Sequence, residues 1–260
     1  MNHPSQNCII LGIETSGTTG GAALLADDRL LASLSFASPT LYSQRLLPSI
    51  EWLLEKTKTG IGEITGVAVS RGPGSFTGLR IGMSAAKAIA YANSAPIVAV
   101  STLEALALRG ASCAFTAAMP LCPMLDARQG EIYAALFRAA REKSDPEPSH
   151  RNNAPSMHPP ERLTEDYAGK LDDWAKTIHE PALFLGEGAL RYQAELAVLL
   201  GNKFILAPSI RILPSAEEIA WLGAWRIMRG EADDPAGLEP DYHRHSWQDP
   251  RTNNQQTGRR

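Results

Sequence analysis

Cysteine is scarce in this 260-residue chain: Cys8, Cys113 and Cys122 are the only three. No two of them stand as CxxC, which excludes a disulfide framework and a paired zinc set, and they read as buried apolar residues in a reducing compartment. Long apolar runs are missing too; none approaches the ~20 residues that a membrane span needs. Met1–Asn7 is polar and carries no signal-peptide apolar region, so the expected location is the cytoplasm. Charge of either sign is unremarked: 25 Lys and Arg stand against 28 Asp and Glu, and a net −3 argues against a broad basic surface for nucleic acid. Histidine offers little chemistry. His3, His150, His158, His243 and His245 fall in termini or a loop, His179 in another loop, and His243-x-His245 has no third ligand. There is no HExxH, no GxSxG and no cysteine beside a plausible histidine partner, so nothing argues for a self-sufficient active site.

What is present is an α/β pattern. Cys8–Ile13, Gly21–Leu25 and Leu30–Phe36 are short strand candidates joined by turns, which predicts an antiparallel meander. Leu46, Leu47, Ile50, Leu53 and Leu54 recur at helical spacing, with Pro48 expected in a first turn or at a kink. A strand over Ile64–Ser70, a glycine-rich turn and a helix follow, then a strand at Pro96–Val100. Ser101-Thr102-Leu103-Glu104 next spells a capping box that starts a third helix. The first unit is therefore placed at 1–110. Pro123–Asp126, a polar turn and Glu131–Phe137 echo Ile10–Glu14, its turn and Gly21–Leu25, which points to a second, smaller unit over 111–244. Within it, 143–161 reads as a flexible loop and Ser215 as the cap of a last helix; 245–260 reads as a disordered tail.

The turn Arg71-Gly72-Pro73-Gly74-Ser75-Phe76-Thr77-Gly78-Leu79-Arg80-Ile81-Gly82 is the most informative stretch. It is neither GxxxxGK[ST] nor GxGxxG, so a tight turn with helix-packing glycines competes with a phosphate or ligand role. Gly78, Gly82, Ala85, Ala86, Ala88, Ala90 and Ala92 would let a second helix approach closely. Packing within the unit is the default reading; a surface for another subunit is the alternative. Glu14 and Asp126 end matching strands. They could hold magnesium or act as acid and base, but the favoured reading is that each accepts hydrogen bonds from its own turn.

Five blocks in order resemble the bacterial TsaB (formerly YeaZ) family: Ile10–Ser16, Gln44–Pro48, Arg71–Gly82, Val100–Leu106 and Asp126–Tyr133. A weaker match runs through Leu185–Ala189 to Glu239–Arg244. One departure is Tyr42, where many relatives carry histidine. The resemblance implies an actin/Hsp70/sugar-kinase-like fold of two related α/β domains, each a mixed sheet flanked by helices. It further implies a non-catalytic paralogue of TsaD that binds TsaD, with TsaE, for threonylcarbamoyl transfer to N6 of adenosine 37 in tRNAs reading ANN codons. TsaC or a relative would make the adenylate. TsaD-type relatives carry two metal-ligand histidines, HxxxH, at the positions matched here by Thr102 and Leu106, which cannot ligate iron or zinc.

On this reading the face for TsaD, or for a second copy in a homodimer, comprises Leu46, Leu47, Ile50, Leu53, Leu54, Gly78, Gly82, Met83, Ala86 and Ile89. Arg71, Gly72, Gly74, Ser75, Thr77, Arg80, Glu14 and Asp126 form the motif loop, where a nucleotide could sit at the TsaD interface. No tightly bound cofactor and no metal is expected, and tRNA is met only through the complex. The alternative is an ATP-dependent small-molecule kinase of the same superfold; a metallopeptidase would need stoichiometric metal.

Overall fold

The computed structural model describes residues 8–27, 29–37, 42–111, 119–140 and 158–241. Most of the 143–161 loop, the whole 245–260 tail, Cys113, His3, His150, His243 and His245 lie outside the described residues. Strands β1 (Ile9–Glu14), β2 (Gly20–Ala26) and β3 (Arg29–Phe36) form the expected meander. Helix α1 (Tyr42–Thr57), β4 (Gly66–Gly72), α2 (Phe76–Asn93), β5 (Ile97–Ser101) and α3 (Thr102–Ala111) complete a sheet ordered β3-β2-β1-β4-β5. β1, β4 and β5 run parallel. Pro48 falls in the second turn of α1 rather than the first.

The second half repeats this topology. β6 (Leu121–Arg128) and β7 (Glu131–Ala134) form the hairpin; the short pair β8 (Phe137–Arg138) and β9 (Glu161–Arg162) lies off the main path. β10 (Tyr167–Lys170), α4 (Leu171–Ala175), β11 (Ala182–Leu185), α5 (Glu187–Arg191), α6 (Gln193–Leu200) and β12 (Phe204–Leu206) follow, in the order β10-β7-β6-β11-β12. In each half an antiparallel meander is extended by two parallel strands. The echo between Glu14 and Asp126 is thus a duplicated fold, the arrangement expected of the actin/Hsp70/sugar-kinase superfamily.

The central strands of sheet one are covered on both faces, which is why β1, β2 and the start of β4 and β5 are mostly apolar, whereas edge strand β3 carries Arg29, Ser33 and Ser35. Leu11, Ile13, Val67, Val69, Ile97 and Ala99 pack beneath α1 and α2, while the alternate residues Ile10, Ala68, Val98 and Val100 face the other side. Helix α3 serves both halves. Ala105 and Leu108 join the core of sheet one, whereas Leu103, Leu106 and Ala107 join that of sheet two. Its capping box forms by half: Glu104 N–H donates to Ser101 Oγ (3.4 Å), but the Glu104 carboxylate takes Arg226 instead.

One sequence-based assignment is corrected. Helix α7 (Ala216–Ile227) was expected within the second unit of 111–244, yet Ala216, Ile219, Ala220, Leu222 and Ala224 pack on sheet one. The physical reason is complementary size: a side chain at Gly223 would lie 2.2 Å from the Ala68 methyl, so only small residues let α7 seat there. Ser215 does cap it, accepting from Glu217 N–H at 3.3 Å. No helix of the described residues is long and apolar enough to cross a membrane.

Candidate functional site

The motif turn is built against the β1–β2 turn. Ser75 caps α2, its Oγ accepting from Gly78 N–H (3.2 Å), while Ser75 N–H donates to Ser16 O (2.6 Å) and Leu79 N–H to Ser75 O. These donors are consumed inside the fold, so the turn does not present them to a phosphate. Its glycines answer to proximity. A Cβ at Gly74, Gly78 or Gly82 would stand 2.3 Å from Ser16 O, 2.1 Å from Thr15 O and 2.2 Å from Thr15 Oγ1. The glycines of α2 therefore meet Thr15, and Gly78 also meets the Tyr42 ring of α1, so they serve packing inside the fold. Gly72 has a further requirement, a φ of 122° beside Asp241 O. Arg71 and Thr77 are exposed, and Arg80 lies over the Phe76 ring at 3.9 Å.

Tyr42, the departure from the family pattern, is fully buried. Its hydroxyl donates to Gly17 O (2.5 Å) and its ring packs against Gly20 and Gly78, which locks the β1–β2 turn to α1 and α2. Burial pushes its phenol up, reinforced by Glu14 and Glu187. Glu14 accepts the Ser16 N–H, and burial raises its carboxyl to about 7 against the hydrogen bonds offered by Ser16 and Ser70. Asp126 accepts the Arg128 N–H (2.9 Å) and the Tyr192 hydroxyl (3.1 Å) and pairs with Arg191. Both carboxylates are thus held by their own turns. Among the described residues no group of three His, Cys, Asp or Glu could hold a metal.

The predicted partner face resolves into two layers. Leu46, Ile50, Leu53, Gly78, Gly82, Met83 and Ala86 are buried, the apolar side chains in the core over sheet one; of these Leu46 and Met83 still reach the floor of a surface hollow, and the others do not. Leu47 is 57% exposed, and Leu54 and Ile89 are half-buried. Sequence periodicity found the helices but selected their inward side, because the most regular apolar stripe is the one the core demands. The outward side is the neighbouring stripe. There Leu47, Ile81, Ala85, Ala88 and Ile89, with Ser43, line an open groove of about 500 Å³ between α1 and α2. Ile81, half-buried, was passed over, and Ala88, exposed, was noted only among the small residues of α2.

A second, polar cleft of about 450 Å³ opens at the carboxyl ends of β4 and β5. Its charges are largely matched internally: Arg226 donates to Glu104 (2.5 Å) and to Ala99 O (3.0 Å), and Arg162 pairs with Asp166.

Comparison with known proteins gives a consistent result. The family model described as TsaD, tRNA N6-adenosine threonylcarbamoyltransferase, matches residues 38–231. The chain is 32% identical over 238 residues to the tRNA threonylcarbamoyladenosine biosynthesis protein TsaB of Bacillus subtilis, covering 90% of this chain and 93% of that one. It is 27% identical over 237 residues to the Escherichia coli TsaB, covering 91% and 95%. Among solved structures, YeaZ from Pseudomonas aeruginosa superposes with a TM-score of 0.72 at 24% identity, over 90% of this chain and 99% of that one, which shows the shared fold.

Proposed function

This chain belongs to the TsaB family and takes part in tRNA threonylcarbamoyladenosine biosynthesis; from that premise we propose that it is a scaffold rather than an enzyme. It binds TsaD, with TsaE, in the cytoplasm and activates threonylcarbamoyl transfer to N6 of adenosine 37, meeting tRNA only through the complex. The observation that carries this reading is the α1–α2 groove, an open and almost wholly apolar hollow of about 500 Å³ between two helices, larger than the apolar hollow of about 370 Å³ beside Val198 and Leu199 of α6. In isolation the same face pairs two copies of the chain. The non-catalytic part is supported by Thr102 and Leu106, both fully buried, which offer no imidazole to a metal.

A nucleotide at the TsaD interface would meet Arg71, Thr77 and Arg80, exposed polar groups of the motif turn. Nucleotide binding to the complex, compared with each subunit alone, checks this. The kinase alternative gains no support from Glu14 and Asp126, which are committed to their turns.

The test places a charge in the groove. Leu47→Asp and Ala85→Glu change exposed and half-buried positions and are expected to abolish co-purification with TsaD while leaving the melting temperature unchanged. Retained binding in both would contradict the proposal. Gly82 and Ala86 are unsuitable for this purpose, since both are buried and charged substitutions there would unfold the domain.

A further inference from the structure

The α1–α2 groove does not end the recognition surface. On the opposite flank of α2 a hollow of about 340 Å³ runs between that helix and a strap formed by residues 233–241. Arg80 and Ser84 line both hollows, so only the ridge of α2 separates them.

The strap is pinned at three points. Asp233 joins the edge of β5: its N–H donates to Ile97 O (2.9 Å) and its Oδ2 accepts the Ala99 N–H (2.7 Å). Leu238 sinks into the core over sheet one. Asp241 N–H donates to Arg71 O in the motif turn (2.9 Å). Leu238 is the single fully buried side chain along the strap; 231–237 and Glu239 are exposed. The strap is therefore a surface element held in a fixed place beside α2.

The chemistry of the hollow is asymmetric. Met83 and Leu238 supply an apolar floor, while Arg80 and Lys87 supply cations and Glu239 the one carboxylate in its lining. α2 carries no Asp or Glu in its 18 residues. Lys87 forms no ion pair among the described residues. Excess positive charge above an apolar floor suits a carboxylate on an aliphatic stem. A second copy of the chain fits less well, because its own α2 would bring two more cations and no carboxylate.

Resting on the reading that the α1–α2 face docks the transferase subunit, we propose that this interface continues over α2 into the strap hollow. There an acidic side chain of the partner pairs with Lys87, and the strap forms the second wall. Lys87 is on this account a specificity residue for the heterologous complex.

The test measures the dissociation constant of the complex with TsaD at about 50 and 300 mM NaCl, where screening of an exposed pair differs strongly. Wild type, Lys87→Glu, Lys87→Arg and Leu47→Asp are compared, with thermal melting of each. Lys87→Glu is expected to weaken binding about tenfold or more and to lessen its salt dependence, with Lys87→Arg close to wild type and melting unchanged. If Lys87→Glu binds normally while Leu47→Asp does not bind, the strap hollow is not part of the interface and the present inference is overturned. If neither variant changes binding, the docking face itself is wrong. A change confined to self-association would hand the hollow to a second copy and equally overturn it.

Discussion

Glu14 and Asp126 hold the same turn in the two halves of the molecule. Glu14 Oε1 accepts the N–H of Ser16, and Asp126 Oδ1 accepts that of Arg128, two residues onward in each case. Each carboxylate lies at or near the end of the first strand of its sheet. Their surroundings differ. Glu14 is sealed beneath the motif turn, whereas Asp126 also meets Tyr192 and Arg191 from α5 and the turn that follows it. The duplicated backbone has kept the turn while one copy has been closed over by α2.

That closure makes stability depend on pH. The Glu14 carboxyl rises from 4.5 to about 7, chiefly through burial, so the folded state holds its proton more tightly than the unfolded state. A raised carboxyl value contributes stability that is complete below about 4.5 and is lost as pH climbs through about 7. The full span corresponds to about 3 kcal/mol. Urea unfolding at pH 5 and pH 8 checks this, with Glu14→Gln expected to be the more stable chain at pH 8 and to show a shallower decline. Glu187 and Glu218 are also raised by burial and give declines of the same sign, which the comparison with Glu14→Gln subtracts.

The two sides of α2 should respond oppositely to substitution. Gly78→Ala drives a methyl against main-chain Thr15 O, at 2.1 Å in the present geometry. It is expected to fall at the upper end of the ~1–3 kcal/mol that overpacking costs, read as a drop in melting temperature. Ala88→Ser, on the exposed side, should shift stability by less than about 0.5 kcal/mol.

Helices α3 and α7 are joined by two ion pairs, Arg109 with Glu218 (3.0 Å) and Arg226 with Glu104 (2.5 Å). Glu218 is nearly buried, and burial raises its carboxyl while Arg109 opposes the rise. Arg109→Met leaves that carboxyl without its cation and should cost about 3–5 kcal/mol near neutral pH. Replacing both partners by methionine should recover most of the loss, and chemical denaturation of the two variants measures it.

Cys122 offers a check on the second core. It is fully buried, Trp174 Nε1–H donates to its sulfur (3.4 Å), and burial pushes its thiol up to about 12. Alkylation followed by peptide mass spectrometry should find it unmodified in the folded chain and modified in denaturant. Labelling at the unfolded rate under native conditions would mean that the second sheet is not packed as described.

Much of the fold was legible in the residues. The strands of sheet one are apolar enough to be seen directly, Ser101 and Ser215 mark their helices, and Asp126 signals the repeat by echoing Glu14. What could not be read is long-range. Nothing local says that α7 crosses back to sheet one, because Ile219 and Leu222 would serve equally against either sheet. The residues named for a partner face mix buried and exposed positions of α1 and α2, since both stripes are apolar and only packing tells Leu46 from Leu47. The glycines of Arg71–Gly82 were visible as a requirement for close approach; that the approaching groups are Thr15 and Ser16 needed the tertiary structure.

The most direct measurement is reconstitution of the modification. Purified TsaC, TsaD and TsaE are supplied with tRNA, ATP, threonine and bicarbonate, and threonylcarbamoyladenosine is quantified without this chain, with it, and with its Leu47→Asp form. The scaffold account predicts strong stimulation by the wild-type chain and none by the groove variant, although both fold equally well. Equal stimulation by the two, or full activity with no added chain, would contradict it.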